Sequence, residues 1–183
     1  MYHDLQGNVL TTVSMDAASY FSSAINDFLN YRITPSAQVK NALSEDPEFA
    51  LALCLRGYFL MMVENRKVIP KVHEILRSLI PQVSMLSERE RLHVKALESW
   101  AELDLLKTCQ VWEQLLSIAP RDILALKLHH TMAFYTGRSQ VLLSVIRGVL
   151  ASWDRSVPGY SVVQGMYAYA LEECGIYDEA ERT

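Results

Sequence analysis

The chain has 183 residues, half of them apolar, and a formal net charge of −4. That length suits one domain or one stretch of a repeat array, and the mixed charge without a basic stripe argues against a nucleic-acid surface. No Lys or Arg precedes Arg32, so a secretory leader's basic start is missing, and the longest uncharged run, 156–171, is too short and polar to span a bilayer.

The first thirteen residues mix Gly7 and Asn8 with β-branched Val9, Thr11, Thr12 and Val13, and read as a loosely held arm. A first helix is predicted over 16–31, with Tyr20, Phe21, Ala24, Ile25, Phe28 and Leu29 at helical spacing. Thr34 before Pro35 reads as an N-cap with proline in the first turn, opening a short helix that presents Val39, Ala42 and Leu43. Asp46-Pro47 repeats that signal. The helix after it, 49–63, is so apolar that it must pack on several sides, and only Arg56 and Gly57 interrupt it. Its partner spans 67–79, where Pro70 requires either a start near Ile69 or a kink, and Pro81 ends it.

Ser87 and Glu90 form a capping-box pattern ahead of Leu92, Ala96, Leu97 and Trp100. Asp104 caps a sixth helix that presents Leu105, Cys109, Trp112, Leu115 and Leu116. A seventh runs over 122–136 and stops at Gly137, a good residue for the left-handed position after a helix. The eighth presents Val141, Leu142, Val145, Ile146, Val149 and Trp153. The ninth starts near Pro158 and stops at Gly175, and residues 176–180 open a tenth.

The prolines at 47, 81, 120 and 158 recur at intervals of 34, 39 and 38 residues, with two helices in each interval. Paired helices at a period near 34 are the mark of tetratricopeptide (TPR) repeats. The expected fold is all-α: a right-handed α-solenoid of TPR-like helical hairpins, about ten helices in one domain, with hairpins near 16–45, 47–81, 87–119, 121–154 and 158–183. One hairpin cannot bury its apolar faces alone, so stacked hairpins share a continuous core. Because the last hairpin stops a few residues into its second helix, a longer array or a covering chain is expected beyond Thr183.

Several runs resemble the tetratricopeptide repeat protein 38-like family. They are Arg89-Glu90-Arg91-Leu92-His93-Val94-Lys95-Ala96, Trp112-Glu113-Gln114-Leu115-Leu116, Asp122-Ile123-Leu124-Ala125-Leu126-Lys127 with His130, and Tyr177-Asp178-Glu179-Ala180-Glu181, together with Asp46-Pro47-x-Phe49. The resemblance covers most of the chain and implies a cytoplasmic helical-repeat protein that continues past residue 183. It implies no particular reaction. The family often carries a histidine where this chain has Leu53, so no three-histidine site with His93 and His130 follows from it.

In such an array the first helix of each hairpin lines the inner, concave wall, with inward positions recurring at i, i+3, i+7 and i+10. These are Phe49, Ala52, Arg56 and Phe59; Glu90, His93, Leu97 and Trp100; Asp122, Ala125, His129 and Met132; and Val162, Gly165, Tyr169 and Glu172. Arg56, Phe59, Glu90, His93, Trp100, His129, Tyr169 and Glu172 are therefore the candidate partner-binding residues.

His93 reads first as a hydrogen-bonded packing histidine and second as a groove residue. His129 and His130 point about 100° apart on one helix and cannot clamp one metal. Glu98 and Glu102, at i and i+4, read as a solvated face rather than an acid/base pair. Cys54, Cys109 and Cys174 are odd in number, far apart and set in apolar patterns, as befits reduced thiols in a cytoplasm rather than disulfides or a zinc site. Trp112 and Trp153 belong to the core, and Trp100 falls on the groove stripe. Arg56 should pair with an acidic group, since a buried lone charge is costly.

No phosphate loop, Gly-x-Ser-x-Gly or dinucleotide fingerprint occurs. The expected function is a non-catalytic scaffold for a protein or peptide partner, or for a second copy of the chain, with no cofactor, metal, nucleic acid or membrane. The alternative is an enzyme or small-molecule binder using His93, His130 and Arg56.

Overall fold

The computed structural model describes residues 2–183; Met1 lies outside them. The chain is all-helical apart from a two-stranded ribbon at the start. Strands β1 (Tyr2–His3) and β2 (Val9–Leu10) pair antiparallel. Ten α-helices follow among the described residues. They are α1 (Met15–Leu29), α2 (Pro35–Glu45), α3 (Ala50–Met61), α4 (Ile69–Leu79), α5 (Glu88–Ala101), α6 (Leu105–Ile118), α7 (Ile123–Tyr135), α8 (Ser139–Val149), α9 (Tyr160–Glu173) and α10 (Tyr177–Ala180). Each helix packs on the next in sequence, and α3 also packs on α5, and α6 on α8.

The odd-numbered helices end alike. Each is followed by one residue in the left-handed region: Tyr31, Glu64, Leu103, Gly137 and Gly175, with φ of 54°, 55°, 64°, 67° and 73°. After α1, α5, α7 and α9 the next N–H reaches back five residues, from Arg32 to the Asp27 carbonyl, Asp104 to Ser99, Arg138 to Ala133 and Ile176 to Leu171. This is the Schellman closure, which satisfies otherwise orphaned helix-end carbonyls. Glycine supplies the conformation freely at 137 and 175. At Tyr31, Glu64 and Leu103 it costs about 1–2 kcal/mol each.

Helix starts follow local chemistry. Ser87 and Glu90 make the full capping box. The carboxylates of Asp104 and Asp122 accept the N–H groups of Lys107 and Ala125 at 2.9 and 2.8 Å. Pro70 lies in the first turn of α4, so that helix starts at Ile69 without a kink. Thr34 does not cap α2; its hydroxyl donates to Asp27 at 2.7 Å. Asp46-Pro47 does not start α3, which begins at Ala50, because Asp46 ends α2 and its carboxylate accepts from Thr12 and Val13. Helix α8 stops at Val149; Trp153 lies after a 3-10 turn, buried, with its indole N–H donating to the Pro120 carbonyl at 2.9 Å.

The core runs the length of the helices. Its centre is an aromatic cluster of Tyr58, Trp100 and Trp112, with ring centroids 5.6–6.0 Å apart. Beside it α3 and α5 touch at Gly57, where a Cβ would lie 2.5 Å from Leu97 Cδ2. Arg56, one residue earlier, is exposed, so its charge bears no burial cost.

Candidate functional site

The positions of α3, α5 and α7 predicted to face inward divide into a covered half and an open half. The covered half lies under the chain's own N-terminus. Phe21 and Phe28 of α1 pack on Phe49, just before α3, and on Phe59 within it. Phe21 and Ile25 also face Leu51, His93 and Asp122 across a gap of only about 10 Å³.

The ribbon docks beside them through polar contacts. Asp4 folds the turn by accepting the N–H groups of Gln6 and Asn8 at 3.0 and 2.8 Å. Its other oxygen accepts from Arg89 Nη1 at 3.2 Å, and the same nitrogen donates to Asp122 at 2.8 Å. Arg89 Nη2 donates to the Val9 carbonyl, and the Thr11 N–H and hydroxyl both donate to Glu90. Gln6 reaches the Pro158 carbonyl. The first thirteen residues are thus a fixed strap, not a loose arm, from Tyr2 onward.

Asp122 is the hub of this network. Its Oδ2 takes Arg89 at 2.8 Å and the His93 Nε2–H at 3.0 Å, while its Oδ1 caps α7. Burial opposes its charge, yet the adjacent His93 and Arg89 and the Ala125 N–H hold its carboxyl well below the ordinary carboxylate range. Burial likewise opposes the charge of Glu90, but the Thr11 and Ser87 donors bring its pKa below the usual value. Asp4 goes the other way: burial wins over Arg89 and Asn8 and raises it. On its far side the His93 ring meets Tyr58, whose hydroxyl lies 3.1 Å from Nδ1 and donates to the His93 carbonyl at 2.8 Å.

The open half lies at the C-terminal ends of the odd-numbered helices. A cleft of about 410 Å³ separates the ends of α3, α5 and α7, with Met61, Trp100, Leu128 and Met132 in its walls. Glu64 and Leu103, two of the residues forced into the left-handed region, stand at its edge. A second cavity of about 470 Å³ lies between α7 and α9 and is closed on one side by Leu29 and Tyr31. Thr131 and Tyr135 of α7 line both, so the two form one groove around the end of that helix.

The predicted groove residues distribute as follows. Trp100 lines the first cavity and Tyr169 the second, as does His130. Glu90 and His93 are buried in the strap network. Phe59 is half-buried against Phe28, and Arg56 and Glu172 are exposed. His129 is buried, with Nε2 3.1 Å from Glu113 on α6; burial, chiefly, lowers its pKa. His93, His130 and Arg56 are not gathered together: His93 and His130 line different cavities, and Arg56 projects to solvent.

Sequence reasoning missed Leu103, Thr131 and Tyr135. Leu103 carried a signal: it stands between a helix end and the cap Asp104, where glycine would be expected. Among the described residues no group of three or more His, Cys, Asp or Glu is gathered as metal ligands, and no helix is long and apolar enough to cross a membrane. The three cysteines are free thiols. Neither a protein-family model nor a solved structure matches the chain.

Proposed function

We propose that the chain is a right-handed α-solenoid of TPR-like hairpins, a non-catalytic cytoplasmic scaffold that binds a protein or peptide partner in the open half of its inner groove. One observation carries the reading. The cleft between α3, α5 and α7 is apolar and floored by Trp100, and its rim exposes Leu103 and Tyr135, which are 45% and 71% exposed. A cleft of this kind accepts an apolar side chain of an incoming segment, with methionines that adapt to its shape. The recurring Schellman closures and the packing of each helix on its successors support the repeat architecture. The free buried thiols Cys54 and Cys109 agree with a reducing compartment. An enzyme site built from His93, His130 and Arg56 has less support, because the three side chains lie in separate surroundings.

Leu103 makes the reading testable. Its left-handed backbone costs about 1–2 kcal/mol, which glycine would relieve, while its half-exposed side chain contributes a comparable amount by burial. Leu103→Gly should therefore leave stability within about 1 kcal/mol of wild type. The same change removes one wall of the cleft. Peptides selected by display against the wild-type chain should share an apolar anchor and bind the variant about tenfold more weakly. Selected peptides that bind both forms equally would remove the cleft from the account.

A further inference from the structure

The cavity between α7 and α9 differs from the neighbouring cleft in carrying unmet polar chemistry. His130 is 7% exposed, its Nδ1 is buried without a hydrogen-bond partner, and its ring stands against Tyr169 with centroids 5.7 Å apart. Lys127, one turn earlier on α7, donates to the Tyr31 hydroxyl at 3.0 Å and lies over that ring at 5.1 Å. It has no carboxylate partner among the described residues. Lys127, with spare ammonium donors, and the His130 ring line one apolar-walled space. Nδ1 is sealed from that space, so the nitrogen that can meet a ligand is Nε2, which has no hydrogen bond among the described residues.

Two further features shape the space. Tyr31 reaches the cavity from a left-handed backbone, φ 54°, that disfavours any residue but glycine. Gly165 sits in the middle of α9, where glycine costs about 1 kcal/mol relative to alanine. A Cβ there would meet nothing within 4 Å, so packing does not require glycine; the missing side chain simply leaves room in the cavity.

We propose that this cavity binds a free small molecule consisting of a carboxylate on an aromatic or branched apolar group. The carboxylate sits on the Lys127 ammonium and the His130 Nε2–H, and the apolar body lies against Tyr169 and Met166. The size is that of ordinary ligand pockets. Binding carries a proton signature. In the free protein burial, then the repulsion of Lys127 and His129, lowers the His130 pKa to about 4, so its imidazole is neutral at pH 7. The other ionisable groups beside it are Tyr31 and, across α9, Tyr169 with Glu173 near its hydroxyl. A bound anion offsets Lys127 and raises the pKa of His130. The site adjoins the cleft at Trp100 through Thr131 and Tyr135, but His130, Lys127 and Gly165 do not line that cleft, so loss of acid binding and loss of peptide binding are separable.

The experiment is a titration with phenylacetate, 2-phenylacetamide and phenethylamine, followed by NMR of the His130 ring. The acid should shift the His130 signals and raise its pKa, binding at about 1 mM or tighter. The amide should bind at least tenfold more weakly, and the amine not at all. Gly165→Leu, whose Cβ meets nothing within 4 Å, narrows the cavity and should abolish binding with no loss of melting temperature. Lys127→Met, on the helix surface, should reduce the acid's affinity to that of the amide, and decides the matter should the leucine variant not fold. No binding of the acid up to about 10 mM, equal binding of acid and amide, or unchanged binding by folded Gly165→Leu or by Lys127→Met would overturn the proposal.

Discussion

Replacing Asp122 tests whether the strap network carries the stability that its geometry implies. The Asp122 side chain is 2% exposed and serves three donors: Arg89 at 2.8 Å, His93 at 3.0 Å and the Ala125 N–H at 2.8 Å. Asp122→Ala removes a helix cap, costing about 1 kcal/mol. It also leaves the buried Arg89 with Asp4 as its one carboxylate partner, and breaking a buried pair in this way costs about 3–5 kcal/mol. Asp4 remains at 3.2 Å, which favours the lower end of that range. The total of about 4 kcal/mol is a large part of the 5–15 kcal/mol typical of a folded domain. With a urea m-value near 2 kcal/mol/M, the midpoint should fall by about 2 M. Asp122→Asn keeps the cap and the shape but loses the charge, and should cost about 2 kcal/mol.

The assay is urea unfolding followed by far-UV circular dichroism at pH 7 and at about pH 2.5, inside the interval where a lowered carboxyl loses its contribution. Because the folded pKa of Asp122 lies below the unfolded one, its contribution is present above about pH 4 and is lost as the pH falls further. Glu90 adds in the same sense. Asp4 opposes them: its folded pKa is raised, so its protonation favours the folded chain as the pH falls through that interval. Wild type should lose stability on acidification below about pH 4, and Asp122→Asn should lose less. An alanine variant within about 1 kcal/mol of wild type, or an Asn variant with the full acid response, would refute the reasoning.

Three other outcomes follow from particular contacts. Gly57→Ala should cost about 1–3 kcal/mol by equilibrium unfolding, since the new Cβ meets the fully buried Leu97 side chain at the α3–α5 contact. Thr11→Val removes one of the two Thr11 bonds to Glu90, and hydrogen exchange should speed up in residues 2–13 while that of α6 stays unchanged. A thiol reagent at pH 7.5 should modify the half-buried Cys174 first, because Cys109 is 1% exposed and burial chiefly raises its thiol pKa to about 11, and Cys54 is raised further; mass spectrometry after partial labelling reads the order.

What was legible in the sequence was local. Ser87 with Glu90, Asp104 and Asp122 act within three residues of themselves, and Gly137 and Gly175 need only their own backbone, so these helix ends can be read from neighbours. Thr34 and Asp46 look like the same signals. Their side chains are claimed instead by Asp27, and by Thr12 and Val13, so the competing partner decides. The strap is hidden for the same reason at longer range: Thr11 bonds Glu90, Asp4 bonds Arg89, and Gln6 bonds Pro158, partners no periodicity reveals. Helical spacing picked out a stripe on α3, α5 and α7, but not which of its residues are buried, because that depends on α1 and the strap packing over Phe49, Phe59, His93 and Asp122. Tyr31 was missed because a left-handed residue other than glycine leaves no compositional mark, and Leu103 could be placed only through its neighbour, the cap Asp104.

The most direct test of the groove is site-specific photocrosslinking in the source cells. A photoreactive residue at Thr131, which lines both cavities, is compared with one at exposed Gln114 on α6. A polypeptide crosslinked from position 131, absent from position 114 and lost when Leu103→Gly is introduced, is the predicted result. A polypeptide captured from position 114 and not from 131 would contradict the account and move the binding surface to α6.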